Sequence, residues 1–68
     1  MANNFVEIAL EFLGCSLTEV YVFDGDRRTR LPISQIRNYS VREFRDMERG
    51  ENIMVEIPEW LAVKEELI

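Results

Sequence analysis

The segment Phe5-Val6-Glu7-Ile8-Ala9-Leu10-Glu11-Phe12-Leu13 decides whether the sheet of this chain has three strands or four. Val6, Ile8, Leu10 and Phe12 fall on one side of an extended chain, with Glu7 and Glu11 on the other. That alternation has the two-residue period of a half-buried strand. A helix is the competing reading, with Asn4 as its cap, Glu7 at the third position and Gly14 as its stop. The β-branched and aromatic content and the strict alternation favour the strand.

Outward from this segment, Thr18-Glu19-Val20-Tyr21-Val22-Phe23-Asp24 predicts a second strand. Asp24-Gly25-Asp26 then makes a hairpin turn, because glycine supplies positive φ and aspartate tolerates turn geometry. Arg28-Thr29-Arg30-Leu31-Pro32 returns as a third strand, and Pro32, which cannot donate to a ladder, belongs at its end or on an edge. Ser34 is expected to cap a short turn through Gln35, Ile36 and Arg37. Ser40-Val41-Arg42-Glu43 has the capping-box pattern, and a helix over Phe44–Arg49 would close at Gly50. Val41, Phe44 and Met47 recur every three residues and form its buried stripe. Asn52-Ile53-Met54-Val55-Glu56-Ile57 predicts the last strand, with Ile53, Val55 and Ile57 on one face. Pro58 suits the first position of a final helix over 58–67 and Glu59 suits its positive end. Trp60 is expected to anchor that helix in the core.

These elements predict one α+β domain over residues 1–68: a three- to four-stranded antiparallel sheet, or a partly open small barrel, with one or two helices. Sixty-eight residues bury only about 60% of the surface that the unfolded chain exposes, so stability is marginal and a homodimer is compatible with the size. Thirteen acidic against eight basic residues give a net charge of −5. That balance disfavours direct nucleic-acid binding, which draws on a positive field, and an anionic membrane surface. Glu7 and Glu11 interrupt the first apolar run, so neither a signal peptide nor a membrane span is expected. With no histidine and Cys15 as the only cysteine, no internal disulfide can form, which suits a reducing cytoplasm. Cys15, between Gly14 and Ser16, is expected at a loop or bulge as a small semi-buried residue. Asn38-Tyr39-Ser40 fits a glycosylation acceptor pattern that a cytosolic chain does not use.

The two proline junctions carry a resemblance. Leu31-Pro32, Ser34-Gln35-Ile36 and, later, Ile57-Pro58-Glu59-Trp60-Leu61-Ala62 with Leu67 resemble a group of small proteins that recur in bacteriophage and prophage genomes, over most of residues 18–68. Arg30 stands where the group usually has an aromatic residue and Glu66 where it usually has glycine; residues 39–50 form a longer, helical insert. The resemblance implies the fold and a phage-like origin, hence a host-cell cytoplasm. By analogy with small acidic phage proteins, it also implies an inhibitor of host machinery such as an anti-CRISPR protein.

Chemistry is sparse. Without histidine, catalysis or metal binding would rest on carboxylates, and Asp24-Gly25-Asp26 is too short for a calcium loop. The chain is therefore read as a non-catalytic protein with neither cofactor nor metal. Glu7, Glu11, Asp24, Asp26 and Glu59 are the candidate partner-binding residues, because carboxylates on a rigid sheet can occupy a basic groove of a host protein. The basic cluster Arg27, Arg28 and Arg30 can hold a phosphate backbone, but pairing with Glu7, Glu11 or Glu19 across the sheet accounts for it more simply. The stretch 30–57 also loosely resembles swapped-hairpin antitoxin-type regulators, which makes a dimeric DNA-binding regulator the alternative. A structural accessory subunit is a third reading.

Overall fold

The structure, a computed structural model, describes residues 4–68. Residues 1–3, on which the reading of the N-terminal segment partly rests, lie outside the described residues. The chain runs β1 (Phe5–Cys15), β2 (Glu19–Phe23), β3 (Arg28–Pro32), a 3₁₀ turn (Ile33–Gln35), α1 (Val41–Arg45), β4 (Asn52–Pro58) and α2 (Glu59–Lys64). All pairings are antiparallel, in the order β3-β2-β1-β4. The sheet has four strands and is open; it does not close into a barrel. The alternation over residues 5–13 thus belongs to a strand, and that strand is central.

β1 is longer than its neighbours because it serves two partners in succession. Phe5 to Glu11 pair with Pro58 to Asn52, and Glu11 to Cys15 pair with Phe23 to Val20. Between Phe12 and Gly14 the register shifts, leaving Leu13 as the extra residue of a bulge. The bulge moves Leu13 beside Tyr21, the partner of Gly14, and leaves Cys15 half-buried just beyond it.

One face of this sheet is covered. Ile8, Leu10 and Phe12 of β1, Val20 and Val22 of β2, Leu31 of β3, and Ile53, Val55 and Ile57 of β4 are buried beneath Ile33, Ile36, Phe44, Leu61 and Ala62. Phe44 is 1% exposed, stacks on Phe12 with ring centroids 5.9 Å apart and meets Tyr39 at 5.1 Å. The insert 39–50 is therefore core material at that end of the sheet. α1 begins as expected: Ser40 accepts from the Glu43 N–H and the Glu43 carboxylate accepts from the Ser40 N–H.

Four expectations are corrected. Ser34 caps nothing; it lies inside the 3₁₀ turn, which starts from Pro32 without a side-chain cap. α1 ends at Arg45, and Gly50 takes a left-handed φ of 98° in the turn before β4, where its N–H donates to the Phe12 carbonyl. Trp60 is not a core anchor: it is 55% exposed, and Leu61 and Ala62 fill the core. Pro58 is still paired with Phe5 as the last residue of β4, so the helix starts one residue later and spans only Glu59–Lys64. Each residue turns a helix by about 100°, so that offset carries Trp60 outward beside exposed Val63.

The outer edge of β4 is closed by a side chain. Asn38 Nδ2 donates to the Met54 carbonyl at 2.7 Å while its Oδ1 accepts from the Glu56 N–H at 2.9 Å. The Arg37 N–H donates to the Glu56 carbonyl at 2.8 Å. Together Arg37 and Asn38 satisfy edge groups that would otherwise template another strand. Just past the end of α2, Glu66 holds φ at 59°, while the Leu67 N–H reaches back to the Ala62 carbonyl. This is a Schellman-type stop at a position where glycine is the unstrained residue. No helix among the described residues is long and apolar enough to cross a membrane.

Candidate functional site

The second face of the sheet is uncovered. Its residues follow from the pairing: Glu7, Ala9 and Glu11 of β1, Tyr21 and Phe23 of β2, Arg28 and Arg30 of β3, and Asn52, Met54 and Glu56 of β4 alternate with the buried positions. Leu13 joins them through the bulge. Tyr21 is 39% exposed and Met54 47%, so apolar surface is interleaved with charge across the whole face.

The charges free of ion pairs among the described residues are grouped by strand. Glu7 and Glu11 sit where β1 pairs with β4, about 13 Å apart along the strand at ~3.3 Å per residue. They flank Ala9 and its neighbour Met54. Neither carboxylate makes an ion pair among the described residues. Glu56, the cross-strand neighbour of Glu7, is neutralised: Arg37 Nε and Nη2 donate to its Oε1 at 2.9 and 2.8 Å. The Arg37 guanidinium also lies 4.2 Å from the Phe5 ring centroid. Glu11 and Asp24 line one depression of about 260 Å³ with Ala9, Phe23 and Asn52.

Asp24 has a structural task. Its Oδ1 accepts from the N–H groups of Asp26 and Arg27 at 2.8 and 2.9 Å, closing the hairpin around Gly25. The hydrogen bonds from Arg27 and Asp26 hold its carboxyl below the ordinary value of 3.8. Asp26 is exposed at the turn and joins that network only through its backbone N–H. Glu59 is exposed at the start of α2, its N–H donating to the Asn4 carbonyl. The five candidate residues thus do not converge on one point. Glu7, Glu11 and Asp24 share the open face, Asp26 extends it at the turn, and Glu59 lies beyond the start of β1, next to exposed Trp60.

Where β2 pairs with β3 the sign reverses. Arg30 lies directly across from Tyr21 and Arg28 across from Phe23. Arg30 pairs with Glu19 at 3.6 Å, as expected, on an exposed surface where such a contact adds little. Arg28 has no ion-pair partner among the described residues. Arg27 leaves the cluster altogether: its Nη2 donates to the Glu65 carbonyl at 2.6 Å and lies 3.9 Å from Glu66, tying the hairpin to α2. Thr29 reinforces the tie through the Glu65 carboxylate at 3.0 Å.

Arg49 takes the vacated place. Its Nη1 donates to the Leu13 carbonyl at 3.3 Å, and it borders an open groove of about 560 Å³ with Leu13, Tyr21, Arg28 and Arg30. Sequence reasoning missed this, because it set Arg49 on a solvated helical turn. The usable signal was Gly50, whose turn brings the chain back against Phe12. Among the described residues no group of three or more His, Cys, Asp or Glu side chains is placed to hold a metal ion. No known protein family, curated relative or solved structure matches the chain.

Proposed function

We propose that this chain is a non-catalytic, phage-type interaction protein that binds a basic surface of a host protein complex in the host cytoplasm and inhibits or modulates it, as an anti-CRISPR protein would. The observation that carries the reading is the uncovered sheet face on which Glu7 and Glu11 stand free of ion pairs around Ala9 and Met54. Unpaired carboxylates on a rigid strand have no internal ion pair to break and stand at fixed backbone positions, so a complementary basic partner gains their attraction without displacing another cation. Apolar surface between them supplies the desolvated centre that a binding face needs. Exposed Trp60 beside Glu59 offers an aromatic anchor of the kind that dominates binding energy.

The dimeric regulator reading would present Arg27 and Arg28 to DNA, and it is the weaker one because Arg27 is tied to the end of α2. A structural accessory subunit is the third reading, distinguished by stable co-purification with one phage component.

The test is charge reversal at Glu7, Glu11, Asp26 and Glu59 to lysine, leaving Asp24 to its turn. Capture from host lysate should retain one defined basic protein on the wild type. Its affinity, measured by titration of the purified partner, should fall at least about tenfold in the variant and fall with added salt in the wild type. Equal affinity for both proteins would refute the acidic-face reading.

A further inference from the structure

The groove around Tyr21 has a chemistry that the acidic half lacks. We infer that it is a binding site for a short single-stranded nucleic-acid segment, in which Tyr21 stacks on a base while Arg28, Arg30 and Arg49 hold the adjoining phosphates. This goes beyond the proposed partner and does not rest on it.

Tyr21 lies in the middle of β2 and is 39% exposed, on the face that no helix covers. It is bordered by Leu13 on one side and by arginines on the other, in a groove of about 560 Å³, inside the ~300–1,000 Å³ range of small-ligand sites. The arginines come from two separate parts of the chain. Arg28 and Arg30 are fixed by the β2–β3 register, and Arg49 by its hydrogen bond to the Leu13 carbonyl. That bond uses one guanidinium nitrogen of Arg49 and leaves other donors available. Arg28 spends none of its charge on a carboxylate among the described residues.

An aromatic platform flanked by guanidinium groups is the combination that single strands use: every base offers a π-face and every linkage a phosphate. A duplex hides its bases from a flat sheet, whereas an unstacked base can lie on one. An acidic peptide would satisfy the arginines and leave the ring idle, so it fits the groove less fully. Glu11 and Asp24, at the far side of Phe23, limit the footprint to a few nucleotides. Three arginines border the groove and Glu19 offsets one of them, so the local charge there is positive although the net charge is −5.

The test is fluorescence anisotropy with fluorescein-labelled hexathymidylate at low salt, competed by thymidine monophosphate and, separately, by polyglutamate. The wild type should bind, and the affinity should fall as salt rises. Tyr21→Ala should weaken it by about fivefold or more, the lower bound for one stacked base. Arg28→Glu should weaken it similarly and flatten the salt dependence, while Glu7→Gln should leave it equal or tighter. In the unaltered protein, a 5-iodouridine-bearing oligonucleotide should crosslink to Tyr21, which needs no variant to fold. Competition by the monophosphate at matched nucleotide concentration supports the same site with a free nucleotide as its source. Absence of binding at low salt, binding indifferent to Tyr21→Ala, or polyglutamate competing as well as the oligonucleotide would each overturn the inference.

Discussion

The two faces of this sheet are cut from the same strands and end in opposite conditions. On the covered face Ile8, Leu10, Val22, Val55 and Ile57 meet Phe44, Leu61 and Ala62 with almost no exposed surface. On the open face the intervening residues meet solvent, and their charges divide into an acidic half along β1 and β4 and a basic half along β2 and β3. The lesson is that one alternating pattern encodes two different things. The even positions of β1 carry stability, which tolerates no loss of volume. The odd positions carry little stability, so their residue types are free to serve recognition.

The comparison breaks most visibly at Phe44. Phe44→Ala removes a ring wedged between Phe12 and Tyr39, which should cost about 3–5 kcal/mol. For a small domain with total stability on the order of 5 kcal/mol, urea titration should find the variant largely unfolded or nearly so. A native-like midpoint would mean that the insert is not core.

A smaller effect lies at the edge. Asn38→Ala takes two hydrogen bonds from β4, whose backbone groups water can partly re-satisfy, so about 1 kcal/mol is expected. The exposed edge should also make the variant associate at high concentration, seen as a rising sedimentation coefficient. A variant that stays monomeric would show that Asn38 does not guard this edge.

At the C-terminus of α2 the sign is opposite. Glu66→Gly relieves a side chain held at φ 59° and should stabilise the protein by up to about 1 kcal/mol. The lost contact to Arg27, 3.9 Å long between exposed groups, offsets little of that gain. A lower melting temperature would contradict this account of the helix stop.

The smallest effect concerns Asp24. Its folded-state pKa lies below the ordinary 3.8, so the carboxylate's contribution is complete above that value and fades as pH falls through the folded one. Wild type should therefore lose slightly more stability between neutral pH and acid than Asp24→Asn does. Parallel acid titrations of the two proteins would contradict it.

Much of the fold was legible because it rests on local rules. Alternation marked the strands, Asp24-Gly25 the turn and Ser40…Glu43 the start of α1, all within a few residues of one another. The misses lie where tertiary pairing overrode local signals. Pro58 suggested a helix start, but its pairing with Phe5 kept it in the strand and turned Trp60 outward. Asn38 stood out only as part of an acceptor pattern, and only the position of β4 gives it a task. The acidic half of the open face was partly legible, since Glu7 and Glu11 belong to one strand. The basic half was legible only as the cluster Arg27, Arg28 and Arg30; its groove was not, since Tyr21, Arg30 and Arg49 meet only through the β2–β3 register, the bulge at Leu13 and the return of the chain at Gly50.

The claim that the open face is free for binding while the covered face holds the fold is tested most directly by one urea unfolding curve. The protein to measure is Glu7→Lys, Glu11→Lys, Arg28→Glu combined. If the face is unencumbered, unfolding free energy should stay within about 1 kcal/mol of wild type, with an unchanged m-value. A loss approaching that of Phe44→Ala would contradict the account, because it would mean that these side chains are already committed to structure.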